Sequence, residues 1–155
     1  MKKFVPLLTV WALLFLINWS ANAQKLKASQ FTRIEGYQPR AASFPNKELI
    51  TQMFARKDQF DAVFETKKGS KASTIDFKTN SIIACFGDKS ILAGNLSLDK
   101  IQKKEGVLEV YFKAEMGKKN STATAPCCLY SIKTDKNLYG VDFFINGKLT
   151  QELRN

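Results

Sequence analysis

Asn80–Gly87, "NSIIACFG", is an almost unbroken apolar run. A run of this length and composition predicts a central strand buried on both faces. The pattern around it changes to period two. Upstream, "STIDF" (73–77) reads as a further strand. Downstream, "NLSLDKI" (95–101) sets Leu96 and Leu98 opposite Asn95, Ser97 and Asp99. "GVLEVYFKAEM" (106–116) alternates cleanly, with Leu108, Val110, Phe112 and Ala114 on one face and Glu109, Tyr111, Lys113 and Glu115 on the other. "APCCLYSIK" (125–133) supplies another strand, which ends before Asp135-Lys136-Asn137. "YGVDFFINGKLTQEL" (139–153) carries the clearest turn signal in the chain. Its Asn146-Gly147 lies between Val141/Phe143/Ile145 and Leu149/Leu153, as a two-residue hairpin requires.

Only one segment reads as a helix. Phe60, Val63 and Phe64 share a face, Asp58 is placed to cap it, and Lys67-Lys68-Gly69 forms a stop. The residues before it, 48–56, fit either a helix turn or an entering strand, and the strand is favoured. One helix near the N-terminus of the domain, followed by strands with short turns, predicts an α+β fold with a mainly antiparallel sheet.

The first residues set the expected compartment. Lys2 and Lys3 precede an apolar stretch from Phe4 to Ile17, and Ala21-Asn22-Ala23 supplies small residues for cleavage between Ala23 and Gln24. This is the layout of a secretory signal peptide over 1–23. The apolar run is shorter than the ~20 residues a spanning helix needs, and no second one follows. A polar segment, 24–47, has one short strand near Phe31–Gly36 and leads as an arm into a single domain, 48–155. The expected location is periplasmic or secreted, with a soluble mature chain.

Charge and composition narrow the chemistry. Two of the 24 basic residues and none of the 14 acidic ones lie in the leader, so the remainder carries 22 against 14, net +8. The charge comes in scattered pairs, Lys67-Lys68, Lys103-Lys104 and Lys118-Lys119, rather than along one groove with interleaved aromatics, which argues against nucleic acid as a partner. There is no histidine. This removes the commonest general base, the Ser-His and Cys-His nucleophile pairs and most zinc sites. Three cysteines, two of them adjacent, do not make a thiolate metal site, and "GKKNST" (117–122) lacks the second glycine of a phosphate-binding loop. No cofactor is expected. The carboxylates Glu109, Glu115 and Asp142 read as the solvated face of a half-exposed sheet rather than as catalytic groups. Cys127 and Cys128 point to opposite faces of their strand, so they do not act together. In an exported protein, Cys85 is left with the option of a disulfide to Cys127 or to Cys128, and three free thiols are the alternative.

The order of the features carries a resemblance. "KDQFDAVFE", "STIDFKTNSIIACFGDKS" and the closing "TAPCCLYSIKTDKNLYGVDFFINGK" resemble the PrcB-like family over about residues 55–148. The matching positions are Asp76-Phe77, Ile82–Gly87, Pro126–Ile132 and Val141–Phe143. The resemblance implies an exported, non-enzymatic accessory domain with a protein partner, a protease among the candidates. The chain keeps Gly87 and Gly94 where the family commonly has a Gly-Gly turn, and it has no lipid-anchor cysteine near the cleavage position. A secreted protease inhibitor presenting the 114–126 loop, "AEMGKKNSTATAP", is the alternative. Neither reading fixes an oligomeric state.

Overall fold

The computed structural model describes residues 23–27, 30–41, 48–88, 90, 93–117 and 125–154. The predicted leader therefore lies outside the described residues, apart from Ala23. Eleven strands and one helix are described. They run β1 (Gln24–Lys25), β2 (Phe31–Ile34), β3 (Tyr37–Pro39), β4 (Ile50–Phe54), α1 (Lys57–Val63), β5 (Phe64–Thr66) and β6 (Asn80–Phe86). They continue as β7 (Ala93–Lys104), β8 (Val107–Met116), β9 (Cys127–Lys133), β10 (Gly140–Ile145) and β11 (Lys148–Arg154). Among these residues no helix is long and apolar enough to cross a membrane.

Two sheets face one another. One has five strands in the order β1-β7-β8-β10-β11, and the other has four in the order β2-β9-β6-β4. Between them lie Ile83 and Cys85 of β6, Cys128 and Ile132 of β9, Ile101 of β7, Leu108, Val110 and Phe112 of β8, and Val141 and Phe143 of β10. The far side of the four-stranded sheet is covered by α1 and by the small β3-β5 ribbon. There Phe54, Phe60, Phe64 and Phe86 meet edge to face or stacked, at centroid separations of 4.9 to 5.7 Å. Such ring contacts add about 0.5–1.5 kcal/mol each beyond the area they bury. β6 thus has a core on each side, and Ser81 to Phe86 are all buried. This is the double burial that its apolar run predicts. Ser81 is satisfied through the Thr134 hydroxyl at 3.1 Å.

Among the described residues the fold is α+β with one helix, and its sheets are antiparallel except for one pair. β8 and β10 run parallel, Glu109 opposite Asp142 and Tyr111 opposite Phe144. Antiparallel neighbours can be joined by a tight hairpin, but parallel ones need a crossover. The crossover here is β9, which belongs to the opposite sheet. The β10-β11 hairpin turns on Asn146 (φ 51°) and Gly147 (φ 79°), both in the left-handed region that a two-residue turn of this type uses. Asn146 does more than turn the chain. Its amide donates to Ala114 O and accepts from Ala114 N–H, both at 2.9 Å, and so extends the parallel ladder beyond Ile145.

Several details differ from the sequence expectation. Residues 50–54 are a strand, as favoured, but α1 begins after Arg56, and Asp58 lies within its first turn rather than capping it. The helix stops at Val63 because Phe64–Thr66 pairs with Tyr37–Pro39, a partner 27 residues upstream. "STIDF" is not a strand. Asp76 accepts from Lys78 N–H (3.0 Å) and Thr79 Oγ1 (2.8 Å), which closes a turn, while Ile75 and Phe77 pack on the aromatic cluster without a pairing partner. Ser73 exchanges bonds with Glu35 at 3.0 Å, and the chain there passes so close to Gly36 (φ 83°) that a Cβ would lie 2.5 Å from Ala72 Cα. The polar 24–47 segment contributes β1, β2 and β3, of which β2 pairs with β9 from Phe31↔Ile132 to Ile34↔Leu129.

Candidate functional site

No described element covers the outer face of the five-stranded sheet, where the outward positions of β7, β8, β10 and β11 meet in transverse rows. One row is apolar and cationic. Tyr111 and Phe144 stack with centroids 4.4 Å apart and planes 8° apart, and Lys100 Nζ sits 4.1 Å over the other face of the Tyr111 ring. Leu149 continues the row beside Phe144 and is 43% exposed. Two irregularities build this row. A register shift between Leu98 and Lys100 turns Lys100 outward, and one between Phe143 and Phe144 lets Phe143 face the core while Leu149 faces out.

The next row holds Glu109, Asp142 and Glu152 across β8, β10 and β11. Glu109 accepts from the Tyr111 hydroxyl at 2.8 Å and from the Gln102 amide, and Asp142 pairs with Arg154. Loss of solvent, then the Glu109 carboxylate, pushes the Tyr111 phenol up to about 12. The Lys113–Asp99 pair at 2.7 Å closes the far side. Beside the ridge, a depression of 580 Å³ is lined by Ser97, Asp99, Tyr111, Lys113 and Asn146. At the opposite end, Tyr139 is 53% exposed and lies against Gly106 and the β7-β8 turn. The charges on this face are largely spent on one another. What is left for a second molecule is a ridge of half-exposed aromatic rings ending in the exposed Leu149, with a polar surround.

A separate cleft of 450 Å³ opens between the sheets, with Leu26, Leu108, Ile132 and Leu138 inside and the Lys103–Asp135 pair (2.6 Å) at its side. Asp135 also accepts from Asn137 N–H at 2.9 Å, and both partners hold its carboxyl below the ordinary range. That acid serves the turn before β10.

The structure separates the residues singled out from sequence. Glu109 and Asp142 are register partners, each already bonded, and Glu115 lies further along β8 on the same face. Lys67 and Lys68 follow β5, Lys103 is paired, and Lys118, Lys119 and residues 118–124 of the 114–126 loop lie outside the described residues. Among the described residues, no cluster of three acids, cysteines or histidines could hold a metal ion. All three cysteines are free thiols. Burial pushes Cys127 up to about 12 and Cys128 to about 11, and it raises Cys85 well above the ordinary thiol range, so none is an activated nucleophile. Cys85 and Cys128 face the core between the sheets, whereas Cys127 packs on the aromatic cluster of the other face. Sequence reasoning placed Tyr111 outward but missed Lys100, Phe144 and Leu149. The Val141/Phe143/Ile145 alternation leaves Phe144 on the other face, but the register shifts that bring Lys100 and Leu149 into its row leave no mark on the sequence. Comparison with family models, characterised proteins and solved structures returned no match.

Proposed function

We propose that the chain is an exported, non-enzymatic binding or accessory domain that docks on an envelope protein through the outer face of its five-stranded sheet. The observation that carries this is the uncovered Lys100–Tyr111–Phe144–Leu149 ridge. Its aromatic pair, Tyr111 and Phe144, is of the kind enriched in protein interfaces, and a polar rim surrounds it; in such interfaces a few anchors supply most of the affinity. The leader-like first 23 residues support export. The resemblance of the closing strands to the PrcB-like family favours an accessory role beside a protease. The engaged carboxylates and raised thiols favour binding over catalysis.

The test uses the exported protein as bait in its native envelope, with in-situ cross-linking. Wild type is expected to capture one protein reproducibly. A Leu149→Lys variant, changed at the exposed end of the ridge, is expected to lose at least tenfold of that capture while its unfolding midpoint stays near wild type. Equal capture by the variant, or recovery of a lone monomer from both, would overturn the reading.

A further inference from the structure

Cys85 and Cys128 are direct register partners in the β6-β9 ladder. The ladder's phase follows from its ends. Gly87 N–H donates to Pro126 O at 3.0 Å and Thr134 N–H to Thr79 O at 2.9 Å. Stepping inward by twos makes Cys85–Cys128 a hydrogen-bonded pair, with Cα atoms about 5.5 Å apart. A disulfide accepts a Cα separation of about 4.4–6.8 Å. Both side chains lie in the core between the two sheets, on the same face, 0% and 2% exposed. Cys127 pairs with Phe86 one step along and faces the other way.

We propose that Cys85 and Cys128 are an oxidation site: a small disulfide or an oxidised dithiol enzyme joins them across β6 and β9, and Cys127 stays a free thiol. In the folding chain one cysteine thiolate attacks the small disulfide, forming a mixed disulfide and releasing one thiol. The other cysteine thiolate then attacks the bound cysteine's Sγ and releases the second. Two protein thiols are oxidised, one disulfide is reduced to two thiols, and both protons leave with them. Because burial shields both sulfurs in the native fold, the reaction belongs to the folding chain. Cross-strand Cβ atoms lie about 4.5–5.5 Å apart, wider than the ~3.8 Å of a relaxed bridge, so the bond pulls the strands together and is easily reduced.

The experiment refolds the purified protein from urea with oxidised glutathione, then counts alkylatable thiols under denaturing conditions and maps linked peptides. One thiol per chain, assigned to Cys127, with Cys85 and Cys128 peptides joined, is expected. A Cys127→Ser variant is expected to show none, and mild reductant is expected to restore the thiols and lower the urea midpoint. Three alkylatable thiols, or a bridge that uses Cys127, overturns the assignment. The thiol count does not depend on any docking partner, so it stands or fails separately from the binding role.

Discussion

Tyr111 is held on every side. Lys100 and Phe144 take its two ring faces, and its hydroxyl is committed to Glu109. Deprotonating it would place an anion in partly desolvated surroundings beside a carboxylate, so its folded value of about 12 exceeds the ~10 of an unfolded tyrosine. A raised value means the contribution is complete below pH 10 and is lost as pH climbs through 12. The ultraviolet titration should therefore show a late tyrosinate step that shrinks in Tyr111→Phe. In Glu109→Gln that step should move toward pH 10, because the carboxylate's share of the shift is gone. Tyr130 also rises, chiefly through burial, so persistence of the whole late step in Tyr111→Phe would reassign it there. The outward position of Tyr111 was legible, since Leu108, Val110 and Phe112 alternate with it. Its two partners were not, because each arrives from another strand at a register that only pairing decides.

α1 is an element that cannot stand alone. Isolated helices need about 12–15 residues to be even marginal in water, and this one has seven, with no side-chain cap at Arg56. Its one fully buried anchor is Phe60, which touches Tyr37, Phe54, Phe64 and Phe77. Phe60→Ala should cost about 3–5 kcal/mol in urea unfolding, the range for emptying a large aromatic site. Amide exchange should quicken first in α1, β3 and β5. The exposed neighbour Gln59→Ala should stay within about 0.5 kcal/mol. A Phe60→Ala loss below 1 kcal/mol would mean that the cover over the four-stranded sheet is not cooperative with it. The helix was visible from Phe60, Val63 and Phe64, but its end was not, because the strand that claims Phe64 lies far upstream. "STIDF" misled for a related reason. Ile75 and Phe77 are partly buried with period two, yet Asp76 spends its oxygens on a turn, and no described strand pairs with this segment.

At the scale of the molecule, the long strands β6 to β11 were legible and their partners were not. Nothing in "APCCLYSIK" tells that β9 crosses to the opposite sheet and returns the chain beside β8 in parallel. The same blindness affects residues 24–40. A short strand was legible near Phe31–Gly36 in a polar segment, but its partners were not: Ile34 is buried, Tyr37 meets Phe60 edge to face at 5.1 Å, and β2 closes the β9 side of its sheet. Removing them should therefore act as a core deletion. Burying Ile34 is worth about 1.5–3 kcal/mol and the Tyr37 ring contact about 0.5–1.5 kcal/mol. A domain's whole margin is about 5–15 kcal/mol, so the two together, about 2–4.5 kcal/mol, are a large part of a small one. Loss of β2 would also leave β9 as an open edge, a template for pairing between chains. A chain beginning at Ala41 should unfold at a clearly lower urea concentration than one beginning at Gln24, and it should scatter light at concentrations where the longer chain stays clear. If both unfold at the same midpoint and remain monomeric, residues 24–40 are an appended arm, and the sheet ends at β9.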